Sequence, residues 1–207
     1  MFMAICQPFW KLLADIFCKT VAGVSEKSSN FASTMKNVLV LVAHPHLAES
    51  KANKAMMESI QGLPGVTIKD LYGEPFTADN YREDFSRADV IVFQFPFYWG
   101  SSPALLKQWL DEIFMSFFEV PGAAGKQLMI ATTTGSEYEA YRAGGRDHFT
   151  IDELLRPFEF TALYAGMDYL TPFVIYSTAA PDADRYITEG ASRYAVYIRQ
   201  IQESGYK

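Results

Sequence analysis

The sequence predicts a doubly wound α/β fold, in which a five-stranded parallel sheet carries helices on both faces. Apolar runs without a two-residue period alternate along the chain with segments of helical periodicity, which is typical of a parallel sheet covered on both sides. The 207 residues are 49% hydrophobic and 15% aromatic, enough to fill one substantial core. A proline within the last apolar run indicates that this strand lies at an edge.

The first half of the main domain contains three predicted strands and one helix. Residues 38–43 form a continuous apolar run, as expected of a strand buried on both faces. Ser50 caps a helix that extends to about residue 61, where glycine and proline follow. Residues 66–71 predict a shorter strand, and 90–95 predict a third strand that Pro96 ends.

A helix is predicted from Ser102, as its N-cap, and Pro103, at its first position, to about residue 118. Its side chains are apolar almost all round, so one face can pack on the sheet and the other requires a cover. A second subunit is the usual cover, and we expect a homodimer through this 103–118 helix.

The last third of the chain completes the predicted sheet. Residues 127–131 form the fourth strand, and Thr150 with Glu153 forms a capping box for a helix that Pro157 should kink. Residues 170–176 form a fifth strand at the edge, because Pro172 lies within it. A final helix follows Pro181. This pattern matches the flavodoxin-like strand order 2-1-3-4-5.

Residues 1–36 differ in character from the domain at 37–207. Apolar side chains recur there at roughly helical spacing, but Pro8 and three charged residues argue against a membrane span. We expect a poorly ordered extension, or an upstream start with Met35 as the functional start. The alternative is an amphipathic helix that docks on a membrane or a partner protein.

Charge and cysteine content exclude several classes of function. Eighteen basic and 24 acidic residues give a net charge of −6, which disfavours nucleic acid as a partner. Both cysteines lie in the first eighteen residues, so the main domain has no disulfide framework, thiolate nucleophile or cysteine metal site. The cysteine distribution favours a reducing, intracellular compartment. We expect a cytoplasmic protein, with a peripheral position on the inner face of the membrane as the alternative.

Ligands of open parallel sheets bind beyond the carboxyl ends of the strands, where three unusual loops are predicted. The first, 44–49, leads into a helix whose amino end suits a phosphate, with His44, Ser50, Lys51 and Asn53 within reach. The alternative is that Ser50 only caps the helix.

The second and third loops suit a planar ligand. Phe97, Tyr98 and Trp99 precede Gly100 in the second loop, where rings can pack on a flat group that the backbone approaches closely. The alternative is that these rings belong to the core. Residues 132–136 of the third loop supply hydroxyl and amide donors, or form an ordinary polar turn.

Tyr141 and His148 follow the third loop and are candidate proton donors, although a surface tyrosine and histidine without a role would look the same. The chain has no G-x-G-x-x-G, no phosphate-binding P-loop and no G-x-S-x-G motif. His44 and His46 flank a proline and have no nearby third ligand, so we expect no metal.

Taken together, these segments resemble the flavodoxin-like NAD(P)H:quinone oxidoreductases, and most closely the bacterial branch that includes ancillary proteins of glutathione-regulated potassium efflux systems. The resemblance spans about 37–202. The segments that carry it are VAHP at 42–45, SKAN at 50–53, ADVIVFQFP at 88–96, YW at 98–99, PALLKQW at 103–109, TTG at 133–135 and ELLRP at 153–157.

The resemblance implies a dimeric flavoprotein that transfers two electrons from NAD(P)H through flavin N5 to a quinone or similar acceptor. FMN is favoured over FAD because no added segment suggests an adenosine site. The flavin-binding residues that it implies are His44, Ser50, Lys51, Ala52, Asn53, Phe97, Tyr98, Trp99, Gly100, Thr133, Thr134, Gly135 and Ser136. Tyr141 and His148 are the implied catalytic residues, Tyr141 being the better placed.

One residue and one segment depart from the family pattern. Ser136 stands where the family often has glycine, which tightens the approach to the flavin, and the segment 119–125, which forms the substrate pocket in larger relatives, is short, which leaves the choice of acceptor open. Two other functions remain open. One is a regulatory subunit of a membrane potassium efflux transporter with incidental turnover, and the other is a one-electron carrier like flavodoxin.

Overall fold

A computed structural model describes residues 35–117 and 122–203 of the chain. The predicted N-terminal extension, apart from its last two residues, lies outside the described residues, as does residue 118, the last residue of the predicted 103–118 helix. Lys36 is described, and its backbone N–H donates to the carbonyl of Gln202 at 2.9 Å.

The sheet has the predicted parallel order. Its strands are β1 (Val38–Val42), β2 (Val66–Asp70), β3 (Val90–Pro96), β4 (Gln127–Thr133), β5 (Asp168–Tyr169) and β6 (Phe173–Ile175). They run in the order β2-β1-β3-β4, and both β5 and β6 pair with β4. Every residue of β1, β3 and β4 is buried, which explains why these strands read as apolar runs without alternation.

The predicted fifth strand is two short strands rather than one. β5 pairs with residues 127 and 128 of β4, and β6 pairs with residues 131–133. Pro172 lies between them and has no N–H to donate, so the ladder is interrupted there. The prediction that this strand lies at the sheet edge is correct.

Six α-helices cover the described sheet. They are α1 (Lys51–Ile60), α2 (Ala78–Arg87), α3 (Ala104–Glu112), α4 (Ile151–Leu154), α5 (Arg156–Tyr164) and α6 (Ala183–Gln202). α2 was not predicted as an element, because most of its residues are polar. Its buried side chains are Tyr81 and Phe85. Their spacing of four residues is the one feature of the sequence that indicated a helix here.

α3 is shorter and more polar than predicted. Pro103, not Ser102, takes the N-cap position, and a 3-10 turn at Phe114–Phe117 follows the end of the helix. Its exposed side carries an ion pair between Lys107 and Asp111 at 2.6 Å. The predicted second apolar face is therefore absent from the helix at 104–112, whereas Met115 in the turn that follows is 53% exposed.

The predicted kink at Pro157 is a break between two helices. The capping box of Thr150 and Glu153 is present and begins α4. Leu155 then leaves helical geometry, with φ −89° and ψ 0°, and Pro157 lies in the first turn of α5. A proline at this position is tolerated because the first N–H groups of a helix lack partners within it.

Two hydrophobic clusters lie on opposite faces of the sheet. One includes Phe85, Phe93 and Trp109 from α2, β3 and α3, and the other includes Met56 and Tyr194 from α1 and α6. Within the described ranges, no helix is long and apolar enough to cross a membrane.

Candidate functional site

The loops after β1, β3 and β4 meet at a cleft of about 400 Å³, as the carboxyl ends of neighbouring parallel strands should. The cleft is lined by His44, Ser50, Lys51, Ala52, Asn53, Pro96, Phe97, Tyr98, Thr133, Gly135, Thr178 and Ile187. Nine of the thirteen residues predicted to bind the cofactor are among them. Trp99, Gly100, Thr134 and Ser136 are not.

The amino end of α1 forms one wall of the cleft. The Ser50 Oγ accepts a hydrogen bond from the Asn53 N–H at 3.2 Å, which confirms Ser50 as the N-cap. The other N–H groups of the first turn have no partner within the helix, and they give this end of α1 a partial positive charge. Lys51 adds an ammonium group at the rim, where it also pairs with Asp184 at 2.9 Å.

His44 is buried beside this helix end and is held neutral. Its Nδ1 accepts a hydrogen bond from the His46 N–H at 3.0 Å, so the proton of the neutral ring is on Nε2. Burial lowers the pKa of His44, His46 lowers it further, and Asp70 opposes the shift. The imidazole is therefore an uncharged hydrogen-bond donor near neutral pH.

A buried polar network supports the floor of the cleft. The Asn53 Nδ2 donates to the Thr133 Oγ1 at 3.1 Å, and the Gln94 Nε2 donates to the Asn53 carbonyl at 2.9 Å. The Asn53 Oδ1 is buried and has no hydrogen-bond partner among the described residues. Gln94 was not predicted as a site residue, although it is the polar residue within the apolar run at 90–95.

The aromatic loop after β3 ends in a tight turn. Tyr98 and Ser101 exchange two backbone hydrogen bonds of 2.9 Å, and Trp99 and Gly100 between them have φ values of 51° and 77°. Two successive positive φ values are typical of a type I′ turn, which favours glycine at its second central position. The Trp99 side chain is fully exposed at the tip of this turn.

The loop after β4 is held by the segment that follows β6. The carbonyls of Thr134, Gly135 and Ser136 accept hydrogen bonds from the backbone N–H groups of 178, 179 and 177. The N–H groups of Gly135 and Ser136 donate to no atom in the part of the chain that the structure describes. The loop is thus anchored through its carbonyls and keeps two amide donors available.

Tyr141 lies beside the cleft, whereas His148 does not line it. The Tyr141 ring packs against Phe97, with the ring centroids 6.0 Å apart. Burial raises the pKa of Tyr141 and Asp147 raises it further, while a hydrogen bond with Ser136 lowers it. His148 is exposed and has a φ of 63°. The structure therefore places Tyr141, rather than His148, against a cleft residue.

Three residues line the cleft without being among the thirteen predicted ones: Pro96, Thr178 and Ile187. Pro96 ends the strand that precedes the predicted second loop. Thr178 and Ile187 come from the β6–α6 connection and from α6, and no motif in either segment marks them. Across residues 35–117 and 122–203, no group of three or more His, Cys, Asp or Glu side chains is arranged to hold a metal ion.

Comparison with known proteins shows the family. A family model described as "Flavodoxin-like fold" matches residues 36–198. An uncharacterized NAD(P)H oxidoreductase of Bacillus subtilis, YdeQ, is 41% identical over 172 residues, which cover 79% of this chain and 87% of that protein. The glutathione-regulated potassium-efflux system ancillary protein KefG of Serratia proteamaculans is 42% identical over 170 residues, which cover 78% of this chain and 92% of that protein.

Two solved structures share the fold closely. General stress protein 14 of Treponema denticola, in complex with FMN, has a TM-score of 0.73 and 29% identity and covers 80% of this chain and 99% of its own. An NADPH-quinone reductase from P. pentosaceus has a TM-score of 0.68 and 33% sequence identity, and the match covers 81% of this chain and 98% of that one. From the matched residues and these relatives, the chain belongs to the family of flavodoxin-like fold proteins.

Proposed function

We propose that this chain is an FMN-dependent NAD(P)H:quinone oxidoreductase. The observation that carries the proposal is the donor set of the cleft, in which a helix amino end, a neutral histidine and two available loop amides come together. The names of the relatives agree, since they include an NAD(P)H oxidoreductase, an NADPH-quinone reductase and a protein in complex with FMN.

The residues of the cleft fit the three parts of FMN. A phosphate suits the amino end of α1 with Ser50, Lys51 and His44, all of which supply donors. A polyol chain offers hydroxyl donors to the unpartnered Asn53 Oδ1. A flat heterocycle that gains negative charge suits the amides of the loop after β4. When bound, FMN supplies the two-electron chemistry between NAD(P)H and the acceptor.

The chain's own contribution beyond binding is the control of protons at the cleft. Tyr141 is protonated at neutral pH, as a phenol normally is, and its raised pKa keeps it so at higher pH, so its hydroxyl is a neutral hydrogen-bond donor beside the cleft. Arg146 and Asp147 lie close enough to influence this pKa in opposite directions. Tyr141 is therefore the proposed catalytic residue, and the exposed His148 is a less direct candidate.

The acceptor is a small molecule, and we propose a quinone. We also propose that the protein is a homodimer, but through α5 rather than through the 103–118 helix. Phe160 and Leu163 on α5 are 69% and 63% exposed, whereas the described part of α3 presents charged side chains. Large apolar side chains at this exposure favour burial against a second copy.

A second candidate function is that of an ancillary subunit of a potassium efflux transporter. The observation that favours it is the 42% identity to KefG. A purified protein that oxidises NAD(P)H rapidly with a soluble quinone would support the enzyme. A protein that binds FMN with negligible turnover would support the regulatory role.

The test of the proposed cofactor site uses two lysines on the same helix. Lys51 and Lys54 are both exposed on α1 and both face a carboxylate, but only Lys51 lines the cleft. Lys51→Gln should weaken FMN binding about tenfold, because a charged donor to the phosphate is lost. Lys54→Gln serves as the matched control and should leave the FMN affinity unchanged.

FMN fluorescence titration of the apoprotein measures both affinities, and NAD(P)H should bleach the yellow colour of the bound FMN. A protein that stays colourless in excess FMN would refute the cofactor assignment. Equal losses in the two lysine variants would refute the position of the phosphate at the amino end of α1.

A further inference from the structure

A second cavity, of about 560 Å³, lies at the open edge of the sheet beside β6. Its walls come from the edge strand, from the loop around Tyr141, from the beginning of α4 and from α6. The volume is within the range of small-molecule sites in proteins. None of the residues that line this cavity lines the cleft described above.

Two arginines without acidic partners line this cavity. Five of the eight arginines form ion pairs, at distances from 2.5 to 3.7 Å: Arg82, Arg87, Arg146, Arg156 and Arg185. Arg142 and Arg193, on two different walls of the cavity, form none with the described residues. Asp152 is the one carboxylate in the lining, so the wall carries a net positive charge in an acidic protein.

Aromatic rings make up much of the remaining wall. They are Tyr138, Tyr141, Phe173, Tyr176 and Tyr197. The Arg142 guanidinium lies 5.2 Å from the centroid of the Tyr138 ring, within the range of a cation–π interaction, and its Nη1 donates to the Tyr138 hydroxyl at 3.4 Å. The Tyr176 ring packs edge-on against Tyr138 at 5.4 Å. A flat, apolar ligand can pack against such walls.

The Tyr176 phenol completes the donor set. Burial, with a further effect of Asp152, raises its pKa to about 12, so it stays an uncharged donor well above neutral pH. Thr150 also lines the cavity, but its hydroxyl donates to the Glu153 Oε2 at 2.8 Å within the capping box. The cavity therefore combines two guanidinium groups, a neutral phenol and aromatic ring faces.

We propose that this cavity is a binding site for a planar aromatic carboxylate. A carboxylate can accept two hydrogen bonds from a guanidinium group, and its single negative charge equals the net positive charge of the wall. An aromatic body can pack against the rings. A more highly charged anion is disfavoured, since Asp152 offsets one of the two arginines. Tyr141 borders both this cavity and Phe97 of the cleft, so the ligand would lie next to the proposed redox site. The inference does not rest on the proposed function.

The test is calorimetric titration with 2-naphthoate, with and without saturating FMN. The neutral analogue 2-naphthamide has the same rings without the charge, and should bind at least tenfold more weakly. Arg142→Gln and Arg193→Gln should each weaken 2-naphthoate binding about tenfold. Arg199→Gln is the matched control, because Arg199 is an exposed arginine of α6 that forms no ion pair with the residues at 35–117 and 122–203 and lies outside the cavity. This variant should bind 2-naphthoate like the unaltered protein.

Three results would overturn the proposal. They are no binding of 2-naphthoate at millimolar concentration, equal affinity for the amide and the acid, and a loss of affinity in Arg199→Gln as large as in the two cavity variants. Displacement of 2-naphthoate by FMN would also overturn it, because the ligand would then occupy the cleft. Circular dichroism of each variant establishes that a lost affinity is not a lost fold.

Discussion

Tyr141 is the residue whose environment says most about chemistry at the cleft. Its phenol is protonated at neutral pH, as an ordinary tyrosine is, and stays so at higher pH because burial and Asp147 raise its pKa more than Ser136 and Arg146 lower it. Its ring is held between Phe97 and Tyr176, with centroid distances of 6.0 and 6.1 Å. The hydroxyl can therefore be removed without removing the packing of the ring.

Tyr141→Phe should slow the bleaching of bound FMN by NAD(P)H about tenfold or more, because a hydrogen bond to developing negative charge is lost. FMN affinity should change little. Stopped-flow absorbance measures the rate, and fluorescence titration measures the affinity. A variant that is reduced at the unaltered rate would contradict the catalytic role of Tyr141.

His44 makes a pH-dependent contribution to stability. Its pKa in the folded protein is below the ordinary value of 6.5, first because of burial and then because of His46. The unfolded chain therefore binds a proton more readily than the folded one. The stability that the neutral ring contributes is complete above pH 6.5 and is lost as the pH falls through the folded-state pKa.

His44→Asn should remove part of this acid sensitivity, since the Asn Oδ1 can still accept the hydrogen bond from the His46 N–H that Nδ1 accepts now. We expect the Tm of the unaltered protein to fall faster than that of the variant as the pH drops below 6.5. Thermal denaturation over a pH series checks this. Parallel curves for the two proteins would show that His44 does not titrate in this way.

At the scale of the elements, the loop between β4 and α4 depends on one close backbone approach. A Cβ atom at Gly145 would lie 2.3 Å from the Glu139 carbonyl oxygen and 2.6 Å from that of Ala140. Neither carbonyl is the end of a flexible side chain, so the backbone would have to move. The Tyr141 segment is therefore positioned partly by the absence of a side chain at residue 145.

Gly145→Ala should lower the free energy of unfolding by about 1–3 kcal/mol, as overpacking does elsewhere, and should slow reduction by NAD(P)H as well. Gly73→Ala is the control, because its φ is not positive and the nearest atom belongs to the flexible Asp70 side chain. Urea denaturation measures both variants. Equal stability of the two would contradict the role of the close approach.

At the scale of the whole molecule, the exposed apolar surface on α5 is the proposed dimer contact. Phe160 stacks on Tyr164 with the ring centroids 6.0 Å apart, and Leu163 lies between them in the sequence. The charged outer side of α3 contributes less to such an interface, since charged residues are depleted at interface cores.

Phe160→Glu combined with Leu163→Glu should convert a dimer into a monomer, because two charges would be buried at the contact. Size-exclusion chromatography with light scattering measures the mass. Val196→Glu, also at an exposed apolar position but on α6, is the control and should leave the mass unchanged. A monomer before any substitution would refute the proposed dimer.

The sequence alone was sufficient for the order of the sheet and for the place of the cleft. Buried parallel strands leave apolar runs that are visible without tertiary information, and Pro172 marked the edge strand. Since the carboxyl ends of such strands lie at one side of the sheet, the three loops had to meet there. The N-cap at Ser50 and the capping box at Thr150 are local hydrogen bonds, and both were predictable for that reason.

Only the tertiary structure decided which side chains of those loops face the cleft. Trp99 points away from it because a type I′ turn places it at the tip, and Thr134 turns its hydroxyl to the Ser136 carbonyl. Thr178 and Ile187 reach the cleft through the packing of distant segments. Side-chain direction depends on backbone angles and on contacts between residues far apart in the chain, and neither leaves a local pattern in the sequence.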